Sequence, residues 1–368
     1  MKHKIVASLD ELDPYRKEWE SLRLDCRSSI FTSFDLVRIW LEAFKSTAQP
    51  QMVMVEDGGA LVGVAPMCMQ KQSMAGLPVR NLNMVGFGKE ILGYSLMSVM
   101  AKDADDATLN ELVRGIGKVK WNLMQLIALD PTPSTLRFLE LCKAGFSWQP
   151  YTEVSNIFYE FPPEGDITAK FGWRSRKILR KARRDLEREG RMQLRIARTV
   201  EEAEESMHLY VRQHDERWSQ KGGSIFRDER NTRQLLEVGK YAVRSGTGII
   251  HEMLIDGEVA AQSLVMFDGD VGRGYRIGMI DKFEEFSPGK LMFVLMMEDL
   301  RARGFRGYDF LRGDEDYKYH MMTHERTLPA IQVLRGSLLT MSKVRNFAPV
   351  RMVDERLKVR DRMLKKMS

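Results

Sequence analysis

The 368-residue sequence predicts an α/β (α+β) protein: mixed sheets flanked by helices, built in two similar units, with a basic helix at the C-terminal end. Three observations carry this reading. Strand-like and helix-like periods alternate along the chain instead of segregating. Two blocks, near 14–130 and near 196–335, repeat one order of parts: helices, a meander turned by an Asp-Gly pair, a helix and a strand. Finally, 43% hydrophobic against 29% charged residues supplies a sizeable core and excludes a disordered chain.

In the first block, residues 14–24 and 34–44 have a helical period, with Trp19, Leu22, Val37, Trp40, Leu41 and Phe44 as apolar faces. Residues 52–56 and 60–70 read as a hairpin around Asp57-Gly58-Gly59. Strands are expected at 79–85, 95–99 and 123–129, and a helix at 109–119. A further helix over 134–144 meets Gly145, which is placed to end it. Residues 156–161 then form a strand closed by Pro162-Pro163.

The next helix repeats Ile178, Ala182 and Leu186 at four-residue spacing, is otherwise cationic, and is capped by Gly190. A strand at 193–198, a long helix at 200–221 ended by Gly222-Gly223, and a helix at 231–245 follow. Residues 248–255 and 258–267 make a hairpin around Asp256-Gly257, and 272–278 extends it. Ser287-Pro288-Gly289 opens a helix over 290–303 that Gly304 stops, and strands at 307–311 and 329–334 follow. The expected units are 1–155, 156–338 with the basic helix at 170–191, and a basic amphipathic helix at 339–368.

Net charge is +6, unevenly spread. Residues 170–195 hold 11 Lys/Arg against 3 Asp/Glu, and residues 343–366 hold 9 against 3. Two cationic stretches on an otherwise acidic body imply a localised anionic partner: lipid phosphate or an anionic membrane surface, an acidic carrier protein, or tRNA. No apolar run approaches the roughly 18–20 residues that span a bilayer, and no apolar h-region follows Lys2 and Lys4. The expectation is a cytoplasmic protein, peripheral at most on the inner membrane face. Cys26, Cys68 and Cys142 are far apart among apolar neighbours, which suits reduced thiols. His320 and His324 have metal-ligand spacing for a helix but no third ligand nearby, so no metal is expected.

The chemistry concentrates at 275–319. Free N–H groups in the first turn after Ser287 and Gly289, with Lys290 as a point charge, suit a donor phosphate. Gly313 permits close backbone approach after a strand, and Lys318 can meet a phosphate or Asp314. A base is needed to keep an acceptor amine neutral; Asp314, Glu315, Glu252 and Asp309 are the candidates. Gln262 and Ser263 interrupt an apolar strand. His214 and Trp218 share a helix face near Arg217, Lys221 and Gly222; His214, Trp218, Gln262 and Asp309 are the expected substrate contacts.

The wording SPG-helix-G-x-x-x-x-D-F-L-x-G-D-E-x-Y-K resembles the CelD/BioF2-like branch of the GNAT (Gcn5-related) N-acyltransferase superfamily, which is related to the Fem peptidyltransferases. The basic helix likewise resembles an R-x-x-I-R-x-A-x-x-x-G element of Fem-like proteins. The resemblance implies tandem GNAT-like domains and an N-acyltransferase using acyl-CoA or an acyl carrier protein thioester. The implied acceptor is the amine of a cell-envelope precursor: an exopolysaccharide amino sugar, or a sphingoid base. It also implies that Tyr317 protonates the departing thiolate. The Arg/Gln-x-x-Gly-x-Gly/Ala loop of most superfamily members is absent here, which opens two alternatives: a Fem-like aminoacyl-tRNA donor, or a non-catalytic nucleotide- or membrane-binding module.

Overall fold

A computed structural model describes residues 1–336 except 75–76, 88–95, 152–153, 220–222 and 314. The expected basic C-terminal helix at 339–368, Asp314, Lys221 and Gly222 lie outside the described residues.

The chain folds as mixed sheets flanked by helices. Residues Lys2–Val6, Met52–Asp57, Ala60–Ala65 and Met100–Ala101 form one four-stranded sheet. The strand expected over 60–70 breaks at Pro66, which has no N–H for a ladder. Beyond it, Met67–Met74 enters a second sheet with Ala48–Pro50, Leu77–Met84, Leu123–Leu126, Ile331–Leu334 and Trp148–Pro150. The third sheet runs in the order Met192–Ile196, Gly248–Ile255, Glu258–Asp268, Val271–Met279, Gly307–Arg312, Val154–Glu160, His324–Leu328.

The halves exchange edges. Ile331–Leu334, near the end of the described chain, pairs antiparallel with Leu123–Leu126 and with Trp148–Pro150. Val154–Glu160, early in the second half, pairs antiparallel with Gly307–Arg312 and His324–Leu328. The exposed, charged His324–Leu328 strand was missing from the sequence reading because its HERTL pattern has no buried period.

Helices cover both faces of the third sheet. Alternation along Gly248–Ile255 sends Ile249, Met253 and Ile255 into one core and Ile250 into the other. The first core lies under Pro288–Ala302 and Trp173–Arg188. The second is shared with the N-terminal half through Val200–Trp218 and Glu229–Ser245. Phe31 meets Tyr275 with ring centroids 6.0 Å apart, and Arg230 Nη1 donates to Thr47 Oγ1 at 2.8 Å. Thr199 and Glu202 form a capping box that fixes the start of Val200–Trp218, and left-handed Gly246 ends Glu229–Ser245.

Candidate active site at a splayed strand pair

Val271–Met279 and Gly307–Arg312 run parallel and pair only at Val271↔Gly307, Gly272↔Tyr308 and Arg273↔Asp309. Past that point each keeps its other neighbour: the first stays on Glu258–Asp268 as far as Met279, the second on Val154–Glu160 as far as Arg312. The sheet therefore opens into a wedge. Leu311 leaves the pair in the left-handed region (φ 59°) and Gly313 follows at φ 130°. A non-glycine residue at such a φ costs about 1–3 kcal/mol, a strain that is found at functional sites.

Backbone groups along the wedge are met by side chains. Arg276 Nη1 donates to Tyr275 O at 2.7 Å, Tyr210 Oη donates to Ile277 O at 3.3 Å, and Leu311 N donates to Asp309 Oδ1 at 2.7 Å. Gly278 admits the Tyr210 ring: a Cβ there would sit 2.7 Å from Cε2. Tyr210 in turn links the aromatic groups, with its centroid 6.1 Å from that of His214 and 5.9 Å from that of Phe226.

His214 is half-buried, stacked on Trp218 at 5.8 Å and edge-on to Phe226 at 5.0 Å. Its Nδ1 lies 2.8 Å from Ser224 Oγ. Burial pushes its pKa below the ordinary histidine value; Asp215 opposes this, and the charges of Arg276 and Arg217 reinforce it. The imidazole is therefore neutral at pH 7. In the tautomer that gives Nδ1–H to Ser224, Nε2 keeps a free lone pair. Trp218 is 41% exposed and walls the outer side.

Tyr317, on the short helix Asp316–Tyr319, stacks on Phe293 at 5.8 Å. Burial drives its phenol well above the usual pKa of about 10, helped by Glu315 and Tyr210. It holds its proton at any physiological pH. As a hydrogen-bond donor it is well suited; as a proton source for a thiolate, whose own pKa is about 8.5, it is mismatched. Glu315 is exposed and paired with Lys318 at 2.7 Å, while the buried Lys318 Nζ also donates to Arg312 O at 3.1 Å. A Cβ on Gly313 would collide with both partners of that ion pair, at 2.3 Å and 2.8 Å. Gly313, Glu315 and Lys318 thus shape the end of the strand.

The expected phosphate cradle is sparse. Ser287 caps Pro288–Ala302 from a left-handed conformation (φ 52°), and its carbonyl accepts from Lys290 N and Leu291 N, both at 3.0 Å. Pro288 has no N–H, so Gly289 supplies the one uncommitted first-turn donor among the described residues. Gly289 lies against Met279 Sδ, and Lys290 is half-buried without an ion pair among the described residues. The preceding 3₁₀ segment, Asp281–Phe286, is acidic, with Asp281, Glu284 and Glu285 exposed.

Two expected substrate contacts hold protein partners, Gln262 through its amide nitrogen alone, since its Oε1 is buried without a partner. Gln262 Nε2 donates to Glu252 Oε1 at 3.0 Å and to Ser206 O at 3.2 Å, and Glu252 is also bonded by Arg195 Nε at 2.6 Å. Asp309, 1% exposed, accepts from Asn156 Nδ2 at 2.6 Å and pairs with Arg273, which also holds Asp268. Neither Glu252 nor Asp309 is a free base. His324 lies on a strand, its Nδ1 2.8 Å from Thr323 Oγ1, so the His320/His324 spacing does not act on one helix face. Among the described residues no three His, Cys, Asp or Glu side chains are gathered for a metal. Burial pushes the Cys26 thiol up to about 11 and raises Cys68 and Cys142 further, which leaves all three without nucleophilic character.

Sequence reasoning passed over Arg276, Arg312, Tyr210 and Ser224. The signal was faint: an arginine within a strand after Tyr275 and another at the end of Asp-Phe-Leu-Arg.

Residues 174–319 match the family model described as an acetyltransferase (GNAT) domain, a segment that contains both strands of the wedge, His214 and Tyr317. No curated protein matches the chain. Among solved structures, the crystal structure of FemX aligns with a TM-score of 0.61 at 12% identity, over 93% of this chain and 99% of that one. A conserved protein of unknown function from Bacteroides thetaiotaomicron gives 0.56 at 12% identity, covering 90% and 100%. The C-terminal domain (DUF2156) of a putative lysylphosphatidylglycerol synthetase from Agrobacterium fabrum gives 0.52 at 11%, covering 90% and 95%. At these identities the likeness is one of fold. Residues 174–319 thus match an acetyltransferase (GNAT) domain model, and nearly the whole chain shares the fold of FemX.

Proposed function

We propose that the chain is an N-acyltransferase that moves an acyl group from an activated donor to the amine of a cell-envelope precursor. The observation that carries this is the wedge in the GNAT-type sheet, flanked by a neutral imidazole and a half-buried phenol. The donor carbonyl enters the wedge. The amine attacks it, a C–N bond forms and the bond to sulfur or oxygen breaks; a thiolate leaves as the anion, and an alkoxide leaves with the proton that His214 takes from the amine. His214 Nε2 takes the proton released by the amine. The Tyr317 hydroxyl donates a hydrogen bond to the oxygen on which charge develops.

The donor read from the sequence is an acyl-CoA or acyl carrier protein thioester. A second reading is an aminoacyl-tRNA ester, and three observations favour it. The acidic segment Asp281–Phe286 replaces a glycine-rich phosphate loop, and one free N–H remains at Gly289. The high pKa of Tyr317 matches an alkoxide leaving group better than a thiolate. Trp173–Arg188 carries an exposed cationic face, with Trp173 64% exposed. That face meets the donor's phosphates in this reading, and an acidic carrier protein or an anionic membrane surface in the first.

Intact-mass measurement of acyl transfer tests the assignment. Purified protein is given acyl-CoA, acyl carrier protein thioesters or aminoacyl-tRNA, with glucosamine-type sugars or sphingoid bases as acceptors. Mass transfer to an amine is expected with one donor class. Absence of transfer with every pair, while an anionic lipid or a nucleotide stabilises the fold, would replace the enzyme by a binding module.

A further inference from the structure

Arg276 and Arg312 stand on the two diverging strands of the wedge, and among the described residues neither has a counter-charge. The register Leu264↔Arg276 places the first on the strand that ends at Met279, and Asn156↔Arg312 places the second on the strand that has separated from it. Among the described residues neither side chain has a carboxylate partner. Arg276 contributes one nitrogen to Tyr275 O and lies over the Tyr275 ring at 4.6 Å, but its Nε is fully buried without a partner. Arg312 is half-buried; desolvation lowers its pKa, and the neighbouring Arg276 charge lowers it further. Arg273, on the same strand as Arg276, is by contrast neutralised by Asp268 and Asp309. A buried charge left unpaired costs several kcal/mol, and two of like sign cost more.

We propose that Arg276 and Arg312 form an oxyanion-binding clamp in the wedge, which holds a phosphate or carboxylate group of the acceptor beside the amine that is acylated. This rests on the acyltransferase reading and narrows its acceptor to an anionic molecule. Planar guanidiniums suit this task, because each presents paired donors to two oxygens of one group. Tyr210 and His214, whose pKa values both respond to the Arg276 charge, border the same space. An anion held there places the acceptor within the imidazole's surroundings.

The test is thermal unfolding of the full chain with inorganic pyrophosphate or succinate at constant ionic strength, for the wild type, Arg276→Gln, Arg312→Gln and the surface control Arg306→Gln. The melting temperature of the wild type is expected to rise with at least one probe; a response to pyrophosphate identifies a phosphate acceptor, and one to succinate a carboxylate. Each clamp variant should bind that probe roughly tenfold to a hundredfold more weakly. Without anion, both clamp variants should melt above the wild type, because like-charge repulsion is relieved; the control should behave as wild type in the anion response. Wild type insensitive to both probes, clamp variants with an undiminished response, or clamp variants that melt lower or fail to fold would overturn the proposal. Because the readout is binding, its failure is distinct from failure of acyl transfer.

Discussion

The gap beyond Val271–Met279 and Gly307–Arg312 has a counterpart in the N-terminal half. There Leu77–Met84 and Leu123–Leu126 pair in parallel at Asn81↔Leu123, Leu82↔Met124 and Asn83↔Gln125, again for three registers. Each pair is flanked by an antiparallel strand from a distant part of the chain, Ile331–Leu334 in one half and Val154–Glu160 in the other. Both second strands run out through a left-handed residue, Ala128 at φ 54° and Leu311 at φ 59°. The fillings differ. In the N-terminal half the chain pairs again, with Leu96 N on Ala128 O at 2.9 Å and a Met97↔Leu129 bridge, and Val85, Ala128 and Leu129 bury the space. In the C-terminal half, side chains of Arg276, Tyr210 and Asp309 cap the backbone instead. An opened sheet must satisfy its freed backbone groups somehow. Backbone re-pairing seals the gap in one half; capping by side chains holds it open in the other, where the proposed site lies.

The largest effect that separates the two gaps is expected at His214. His214→Gln should lower kcat/KM by roughly 10²–10⁴ with little change in stability, as loss of a general base does. The wild-type rate should rise with pH, since only the neutral imidazole accepts the amine proton. Its acid limb should lie below the ordinary histidine pKa, because burial and the Arg276 and Arg217 charges depress it. A limb at or above about 6.5, or one that persists in the variant, would assign the base elsewhere.

Tyr317→Phe comes next. The ring keeps its stack on Phe293, so folding should be unaffected. Removal of one hydrogen-bond donor to a developing oxyanion costs about 10²–10³ in kcat. Unchanged turnover in the purified variant would remove Tyr317 from the mechanism.

Leu129→Ala probes the sealed gap. Leu129 is fully buried, and a large-to-small change at such a site costs about 2–5 kcal/mol. Denaturant unfolding should show that loss, while kcat per folded molecule stays at the wild-type value. A drop in kcat without a drop in stability would mean that the N-terminal gap also takes part in the chemistry.

Much of this architecture was legible in the sequence. The 34–44 helix, the hairpin at Asp256-Gly257 and the helix after Ser287 stand where period and turn chemistry put them. Pattern reading failed where pairing is non-local. Nothing in the local period of residues 329–334 says that Ile331–Leu334 completes the sheet of the other half. The proposed site was legible as a stretch of candidate residues but not as a set of partners. The segment 275–319 carried Tyr317, Gly313 and Lys318, yet it could not reveal that Asp309 is bound to Arg273 and Asn156. His214 was a candidate from the helix face it shares with Trp218; what lowers its pKa, burial first and then the charges of Arg276 and Arg217, is set only by folding.

The smallest expected effect lies on the seam between the halves. Asp130, 8% exposed, accepts from Ser98 Oγ at 3.4 Å, and burial pushes its pKa up to about 6 despite the attraction of Arg273 and Arg326. The folded-state pKa exceeds the unfolded value, so the folded protein binds the proton more tightly. Stability from this group is present below about pH 3.8 and is lost as pH rises through about 6. The span corresponds to an upper limit of about 3 kcal/mol at neutral pH. Asp130→Asn, which keeps the shape without the charge, should therefore stabilise the protein at pH 7 and do so progressively less as pH falls towards 4. Paired thermal melts across that range give the slope directly. A variant that is destabilised at pH 7 would mean that the two arginines more than repay the desolvation of Asp130. The seam would then be an ion-pair joint like the one at Asp309, and not a charge tolerated between the sealed gap and the open one.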